Sequence, residues 1–316
     1  MPEAIDLVVT APLLPALTEA LQQRYRLHAL WQQADPAQWL KLHASGVRGL
    51  VTTGGKGADA SLIGALPSLE VIACFGVGVD AIDLAAAGER GISVSNTPDV
   101  LNDCVADAAL GLLLAVARRL PEADRFVRNG QWPHGRFGLG TGLAGKRCGI
   151  LGLGPIGLGI ARRAESFGMN IAYCTRAQRT HLPYQYCASP LTLAQASDVL
   201  ILAVPGGPQT QSLIGAAELA ALGPDGILVN VARGSVVDQG ALIDALQTGR
   251  IKGAGLDVFA DEPHVPQALC ALDTVVLTPH LGSATEQARA AMAARVLDNL
   301  AEWFSAGRVL HPVLAA

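Results

Sequence analysis

The sequence predicts an α/β protein built from two doubly wound parallel sheets, and three observations lead there. Short β-rich runs alternate with helical patterns in two separate series; a glycine-rich turn joins a strand to a helix early in the second series; and 316 residues is about twice the ~150 usual for one domain. Half of the residues are hydrophobic, 16% are charged, and the 35 Gly and 18 Pro are spread through apolar segments, a composition that can bury a sizeable core.

The first series opens with the strand Asp6-Leu7-Val8-Val9-Thr10 and a helix from Leu13 to Gln23, followed by strands at Gly49–Thr53, Glu70–Cys74 and Gly91–Ser95. Alternation of this kind implies parallel strands joined by right-handed crossovers. A long helix is then expected from Cys104 to Leu120, stopped at Pro121; Leu110, Leu113, Leu114 and Val116 cover more than one face, which reads as burial between domains or subunits. The second series has six strand candidates, starting at Arg147, Asn170, Asp198, Gly226, Gly253 and Thr274, a full doubly wound set. A last helix, about Ala284 to Ala306, has no place in that sheet and is expected to return to the first domain. The expected division is residues 1–98 with 284–316 against 99–283.

Charge and motif content exclude several functions. Lys plus Arg total 23 against 27 Asp plus Glu, a formal net charge of −4, so there is no basic field for a phosphate backbone and nucleic acid is not an expected partner. No apolar stretch reaches the ~18 residues of a membrane span, and the acidic start MPEAIDLVVT lacks the basic region of a signal peptide; the expectation is a cytoplasmic protein that does not enter membranes. The six cysteines show no CxxC or Cys/His ligand spacing, so no metal site is expected and the thiols read as reduced core residues.

The segment GILGLGPIGLGIARR sets Gly152, Gly154 and Gly157 as GxGxxG directly after a strand and at the start of a helix. The first glycine permits the tight turn, the second keeps a Cβ out of a pyrophosphate's path, and the third lets helix and strand pack closely. The helix N-terminus then offers N–H groups and partial positive charge to phosphates, so dinucleotide binding is expected. No GxxxxGK[ST] occurs. An NAD site usually carries an acid about 20 residues on, at the end of the second strand. Here that strand ends Tyr173-Cys174-Thr175-Arg176, with Arg179 close behind. Nothing there repels a 2′-phosphate: two guanidinium groups can pair with it and Thr175 can donate a hydroxyl hydrogen bond. NADPH is therefore favoured, with NADH still possible; the plainer reading makes both arginines solvated loop residues.

Three polar residues follow strand ends in the second series: Arg233 in NVARGSVVD, Glu262 in LDVFADEPHVP and His280 in LTPHLGSAT. Ligands of open α/β sheets collect beyond the carboxyl ends of the strands, so separate segments can deliver Arg, Glu and His to one crevice. Singly, each also reads as a surface arginine, a loop acid and a turn histidine.

With these motifs, together with FGVGVDAID from Phe75, VSNTPDVLNDCVADAALGLLL from Val94 and GAGLDVFADEP from Gly253, the whole chain resembles the D-isomer-specific 2-hydroxyacid dehydrogenases, closest to the glyoxylate and hydroxypyruvate reductase branch. The resemblance implies a flavodoxin-like substrate domain and a Rossmann domain with a cleft between them, usually in a homodimer. It makes His280 the proton donor to a substrate carbonyl, Glu262 its hydrogen-bonded partner and Arg233 the holder of the 2-oxo acid. Hydride arriving at a carbonyl carbon builds negative charge on oxygen; an imidazolium can neutralise it and a guanidinium can stabilise it, and a carboxylate beside the imidazole favours the protonated form. Val77 and Gly78 match the loop whose N–H groups receive the substrate carboxylate.

The cofactor positions implied by the resemblance are Val105, Gly152, Gly154, Pro155, Ile156, Gly157, Thr175, Arg176, Arg179, Val204, Pro205, Val231, Ala232, Arg233, Asp257, His280 and Gly282. Asp257 matches the residue facing the nicotinamide carboxamide, although an Asp at a strand end also fits a helix cap. Trp132, in a loop before the second series, matches a tryptophan that reaches the partner subunit's substrate pocket. The expected activity is NADPH-dependent reduction of glyoxylate or hydroxypyruvate; 2-ketogluconate and hydroxyphenylpyruvate reductases are the alternatives within the family. A dinucleotide-sensing corepressor is the alternative of another class, and formate dehydrogenase is disfavoured by the missing acid.

Overall fold

Strands buried on both faces need helices on both faces, and the computed structural model, which describes residues 4–314, resolves the chain into two such assemblies. One unit comprises Met1–Leu101 with Glu286–Ala316, the other Asn102–Thr285. In chain order the first carries β1 (Asp6–Val9), α1 (Pro15–Gln22), β2 (Arg26–Ala29), α2 (Pro36–His43), β3 (Val47–Thr53), α3 (Ala60–Ala65), β4 (Val71–Phe75), α4 (Leu84–Glu89) and β5 (Ser93–Ser95). The second carries α5 (Asn102–Ala117), α6 (Leu120–Arg128), β6 (Arg147–Leu151), α7 (Pro155–Ser166), β7 (Asn170–Cys174), β8 (Gln185–Tyr186), α8 (Pro190–Gln195), β9 (Val199–Leu202), α9 (Ala216–Leu222), β10 (Ile227–Asn230), α10 (Gln239–Gln247), β11 (Gly253–Leu256), α11 (Gln267–Cys270) and β12 (Val275–Leu277). The chain ends in the first unit with α12 (Glu286–Ala306) and β13 (Pro312–Leu314).

The first sheet runs β13-β5-β4-β3-β1-β2, parallel except for β13, which pairs antiparallel to β5. Its strands β2 and β13 have no counterpart in the sequence-based series. Both lie at edges, and Arg26-Leu27-His28-Ala29 is nowhere fully buried, so neither shows the continuous apolar run of an inner strand. The last helix returns to this unit with Ala288, Met292, Val296, Asn299 and Leu300 as its buried stripe. Asn299 is fully buried: its Oδ1 accepts the His311 N–H at 2.9 Å and its amide donates to the Arg295 carbonyl at 2.7 Å, which ties the C-terminal strand to the helix.

The second sheet is wholly parallel, β12-β11-β10-β9-β6-β7-β8, with the order reversing at β6 and β9. It has seven strands where six were expected, because two residues, Gln185 and Tyr186, add a short edge. The expected helix from Cys104 to Leu120 ends at Ala117, whose carbonyl is taken by the Thr141 N–H at 2.7 Å. Arg119 turns left-handed at φ 54°, and Pro121 does not stop a helix but enters the first turn of the next, where its missing N–H costs nothing. The apolar coverage of α5 has a cause inside this unit. Ala106, Ala109, Leu110, Leu112, Leu113 and Ala117 belong to the core of this sheet. A Cβ on Gly255 would lie 2.9 Å from Leu112 and one on Gly253 3.0 Å from Val116, so the glycines of β11 are what let α5 lie this close.

Candidate active site

The turn after β6 is built on backbone that only glycine tolerates. Gly152 has φ +93°, and a Cβ there would stand 2.7 Å from the Ala203 carbonyl oxygen and 2.8 Å from Val204 Cγ1. A Cβ on Gly157 would meet the Gly152 oxygen at 2.1 Å, so this glycine allows helix and strand to touch. Gly154 differs: nothing lies within 4 Å of its would-be Cβ. It precedes Pro155 at the start of α7, and no side chain caps this helix, so its N-terminal N–H groups have no side-chain acceptor, a terminus suited to a pyrophosphate. Pro205 follows Val204 beyond β9 and is exposed.

At the end of β7 the loop from Thr175 is anchored from below. The hydroxyl of Tyr173, a fully buried residue, accepts the Arg179 N–H at 2.7 Å and donates to the Arg179 carbonyl at 3.3 Å. The Thr175 hydroxyl donates to the Ala177 carbonyl at 2.7 Å, so the hydrogen expected to reach a phosphate is engaged within its own turn. Arg176 is exposed and Arg179 half-buried, and among the described residues neither has a carboxylate partner. Two uncompensated cations at the end of the second strand suit a 2′-phosphate.

Beyond β10, β11 and β12 the same unit brings together the three candidate catalytic residues. The buried amide of Asn230 folds the chain back: its Oδ1 accepts the Ala232 N–H at 3.0 Å and its Nδ2 donates to the Arg233 carbonyl at 2.9 Å. This shapes the turn through Val231 and Ala232 that presents Arg233, whose Nη1 donates to the Ala232 carbonyl at 2.8 Å. A Cβ on Gly234 would fall 1.9 Å from the Phe259 carbonyl carbon, so that glycine lets the arginine turn rest directly on the segment leading to Glu262. Glu262 Oε1 accepts the Phe259 N–H at 3.0 Å, and Oε2 lies 2.7 Å from His280 Nδ1. Burial by itself would raise the Glu262 carboxyl, but the His280 bond, the Phe259 N–H and the charges of His280 and Arg233 outweigh it and hold the group below the ordinary carboxylate range.

His280 sits in the left-handed region at φ 51°. That conformation is set by Asp257, which is 2% exposed. Its Oδ1 accepts the Thr278 hydroxyl at 2.6 Å and the Leu281 N–H at 2.8 Å, its Oδ2 accepts the Gly282 N–H at 2.8 Å, and its carbonyl accepts the His280 N–H at 2.9 Å. The carboxylate thus clamps the whole histidine turn and is not a helix cap. A Cβ on Gly282 would stand 3.1 Å from Asp257 Oδ2 and 3.6 Å from Val105, placing Val105 beside this turn. Sequence reasoning missed Asn230 and Tyr173; the one available signal was a polar group inside an otherwise apolar strand.

Val77 and Gly78 belong to the first unit, on the loop after β4. The loop turns its carbonyls inward: Gly76 O accepts the Thr97 N–H at 3.0 Å, Val77 O the Asn96 amide at 2.9 Å, and Gly78 O the Cys74 thiol at 3.5 Å. Among the described residues the N–H groups of Val77 and Gly78 have no protein acceptor, a backbone nest suited to a carboxylate. Trp132 lies on a short 3-10 turn, Trp132–His134, and is 67% exposed. No group of three or more His, Cys, Asp or Glu suited to a metal occurs among the described residues, and no helix there is long and apolar enough to cross a membrane.

Comparison with known proteins identifies the family. Residues 110–282 match the family model described as D-isomer specific 2-hydroxyacid dehydrogenase, NAD binding domain. The chain is 46% identical over 312 residues to a hydroxyphenylpyruvate reductase of Plectranthus scutellarioides, covering 99% of this chain and 100% of the relative. It is 45% identical over 312 residues to a glyoxylate/hydroxypyruvate reductase of Arabidopsis thaliana, with the same coverage. Among solved structures, an NADPH-dependent glyoxylate/hydroxypyruvate reductase from Sinorhizobium meliloti in complex with NADP and malonate superposes with a TM-score of 0.93 at 44% identity, covering 98% of this chain and 97% of that one. The protein is therefore an oxidoreductase with an NAD-binding domain, and it belongs to the D-isomer-specific 2-hydroxyacid dehydrogenase family.

Proposed function

We propose that the protein reduces small 2-oxo acids, glyoxylate and hydroxypyruvate first among them, to D-2-hydroxy acids with NADPH. The observation that carries this reading is the 2.7 Å contact between His280 Nδ1 and Glu262 Oε2, with the Arg233 charge acting on the same carboxylate. NADPH supplies the hydride. His280, with Nδ1 committed to Glu262, turns Nε2 to the substrate carbonyl oxygen and donates the proton there. Arg233 keeps its charge throughout and binds the carboxylate while stabilising the oxygen on which charge develops. The open N–H groups of Val77 and Gly78 are suited to a substrate carboxylate. The residues around the fingerprint turn hold the pyrophosphate, and Arg176 and Arg179 hold the 2′-phosphate.

The same reading makes the enzyme a cytoplasmic homodimer. Leu120, Val127, Trp132 and Leu139 are large apolar side chains exposed along α6 and the loop after it, a surface that a second copy of the chain would cover. Trp132 is then shared between subunits, and Trp132→Ala alters substrate choice without dissociating the dimer. Turnover of NADPH and NADH with glyoxylate, hydroxypyruvate, pyruvate, 2-ketogluconate and hydroxyphenylpyruvate tests the function, and sedimentation at micromolar concentration tests the dimer. Failure to oxidise NADPH with any member of the panel would refute the reading and favour a dinucleotide-sensing role.

A further inference from the structure

We infer that Arg289 is a positioning residue for the substrate carboxylate, acting through the loop that follows β4. The guanidinium carbon of Arg289, in the first turn of α12, stands 5.5 Å from the centroid of the Phe75 ring. Phe75 is the last residue of β4 and is only 6% exposed, so this contact lies directly at the root of the loop carrying Val77 and Gly78. Both elements belong to the first unit.

Among the described residues Arg289 shares with Arg176 and Arg179 the lack of a carboxylate partner, and of these three it is the one recorded against an aromatic ring. Arg48, Arg119, Arg128, Arg147 and Arg163 are paired with carboxylates, which hold their charged forms. Arg289 is half-buried, and among the described residues its one recorded partner is an aromatic face. Burial pulls its pKa down, and no carboxylate offsets this. A guanidinium nevertheless stays charged at neutral pH, so the fold keeps a partly desolvated cation with no anion assigned to it. A ring face compensates such a charge only in part.

The neighbouring loop provides the use for that cation. Its carbonyls are spent on Thr97, Asn96 and Cys74, while the N–H groups of Val77 and Gly78 stay open. Stacking on Phe75 fixes the root of the loop, and the unneutralised charge favours an anion arriving at those N–H groups. The inference rests on the proposed role of this loop in binding the 2-oxo acid. It adds that affinity for the carboxylate depends on a residue outside the loop. A substrate held this way loses affinity more than turnover when Arg289 is changed, because the field acts on the carboxylate in ground and transition states alike.

The test uses the NADPH-bound enzyme with Arg289→Met and Arg289→Lys, measuring kcat and KM for glyoxylate and hydroxypyruvate. It also follows hydrogen exchange of the Cys74–Asp80 segment with and without oxamate, a carboxylate probe that is not reduced. Arg289→Met is expected to raise KM roughly tenfold, with kcat within about threefold and NADPH affinity unchanged. Oxamate should protect the segment in the native enzyme and fail to do so at the same concentration in Arg289→Met, while Arg289→Lys, which keeps the charge, recovers most of the KM. If Arg289→Met does not fold, Arg289→Gln reads the same quantities. Protection in the native enzyme with unchanged KM and protection in the variant overturns the role of Arg289 alone. Absence of protection in the native enzyme overturns the loop's role, and this inference with it.

Discussion

Removing the Arg176 guanidinium should shift cofactor preference toward NADH without touching the chemistry. A 2′-phosphate carries between one and two negative charges near neutral pH, and the loop after β7 offers it two arginines that no carboxylate of the described residues pairs with. Each charge-assisted contact is worth about 1.5–3 kcal/mol when well formed. Arg176 is exposed and Arg179 only half-buried, so solvent screening reduces the pair to a total of roughly 1.5–3 kcal/mol, or about tenfold to a hundredfold in kcat/KM for NADPH over NADH. The double replacement Arg176→Ala with Arg179→Ala should bring the two cofactors close to parity, and Arg176→Ala alone should cover part of that distance. Adding Thr175→Asp should invert the preference, since the acid both repels the phosphate and binds a ribose hydroxyl. The assay is initial rates with each cofactor at saturating glyoxylate, repeated at rising ionic strength, where NADPH affinity should fall faster than NADH affinity. A native enzyme that uses NADH better, or an Arg176→Ala enzyme with an unchanged ratio, refutes the reasoning.

Other outcomes follow from the site and its supports. His280→Asn should lower kcat by roughly 10²–10⁴, the usual contribution of a positioned acid, with NADPH titration nearly unchanged; near-normal turnover at saturating substrate would remove His280 from the mechanism. Glu262→Gln should lower kcat by roughly tenfold or more with NADPH titration nearly unchanged, because the carboxylate that holds His280 Nδ1 at 2.7 Å and so aims the ring is gone, and an unchanged kcat would mean the two residues act separately. Tyr173→Phe deletes the hydroxyl that pins Arg179 and should raise KM for NADPH severalfold more than KM for NADH, as read from paired titrations. The carboxyls of Glu70 and Asp198 are held low, chiefly by their bonds to Arg48 and Arg147, and Glu262 is lowered as well. Groups depressed in the folded state contribute stability above their unfolded values, and that stability is lost as pH falls through the folded ones. Thermal melting should therefore drop below about pH 4.5, and a melting temperature that rises on acidification would contradict this.

The parts of the fold legible in the sequence are those whose physics is local. Continuous apolar runs such as Val199–Leu202 and Ile227–Asn230 announce inner parallel strands, and the glycines of the fingerprint announce a backbone that no other residue adopts. Edge strands carry no such signature. Arg26–Ala29 is partly exposed and Pro312–Leu314 begins with a residue that cannot donate to a ladder, so both became visible only once their partners were in place. The end of α5 was misplaced for a similar reason: proline appeared to be the terminator, whereas a distant N–H, that of Thr141, captures the Ala117 carbonyl.

The candidate site divides along the same line. Arg233, Glu262 and His280 could be picked out because each is a residue type suited to the chemistry and follows a strand end. The groups that aim them could not, since their roles depend on which backbone atoms a turn brings within reach. Asn230 shapes the arginine turn, the Phe259 N–H orients Glu262, and Asp257 holds four residues of the histidine turn. A reaction that develops charge on one oxygen gains most from donors already in place before that charge appears. The left-handed backbone at His280 is the visible cost of that arrangement, and the buried Asp257 carboxylate, with three donors on its two oxygens, is what sustains it.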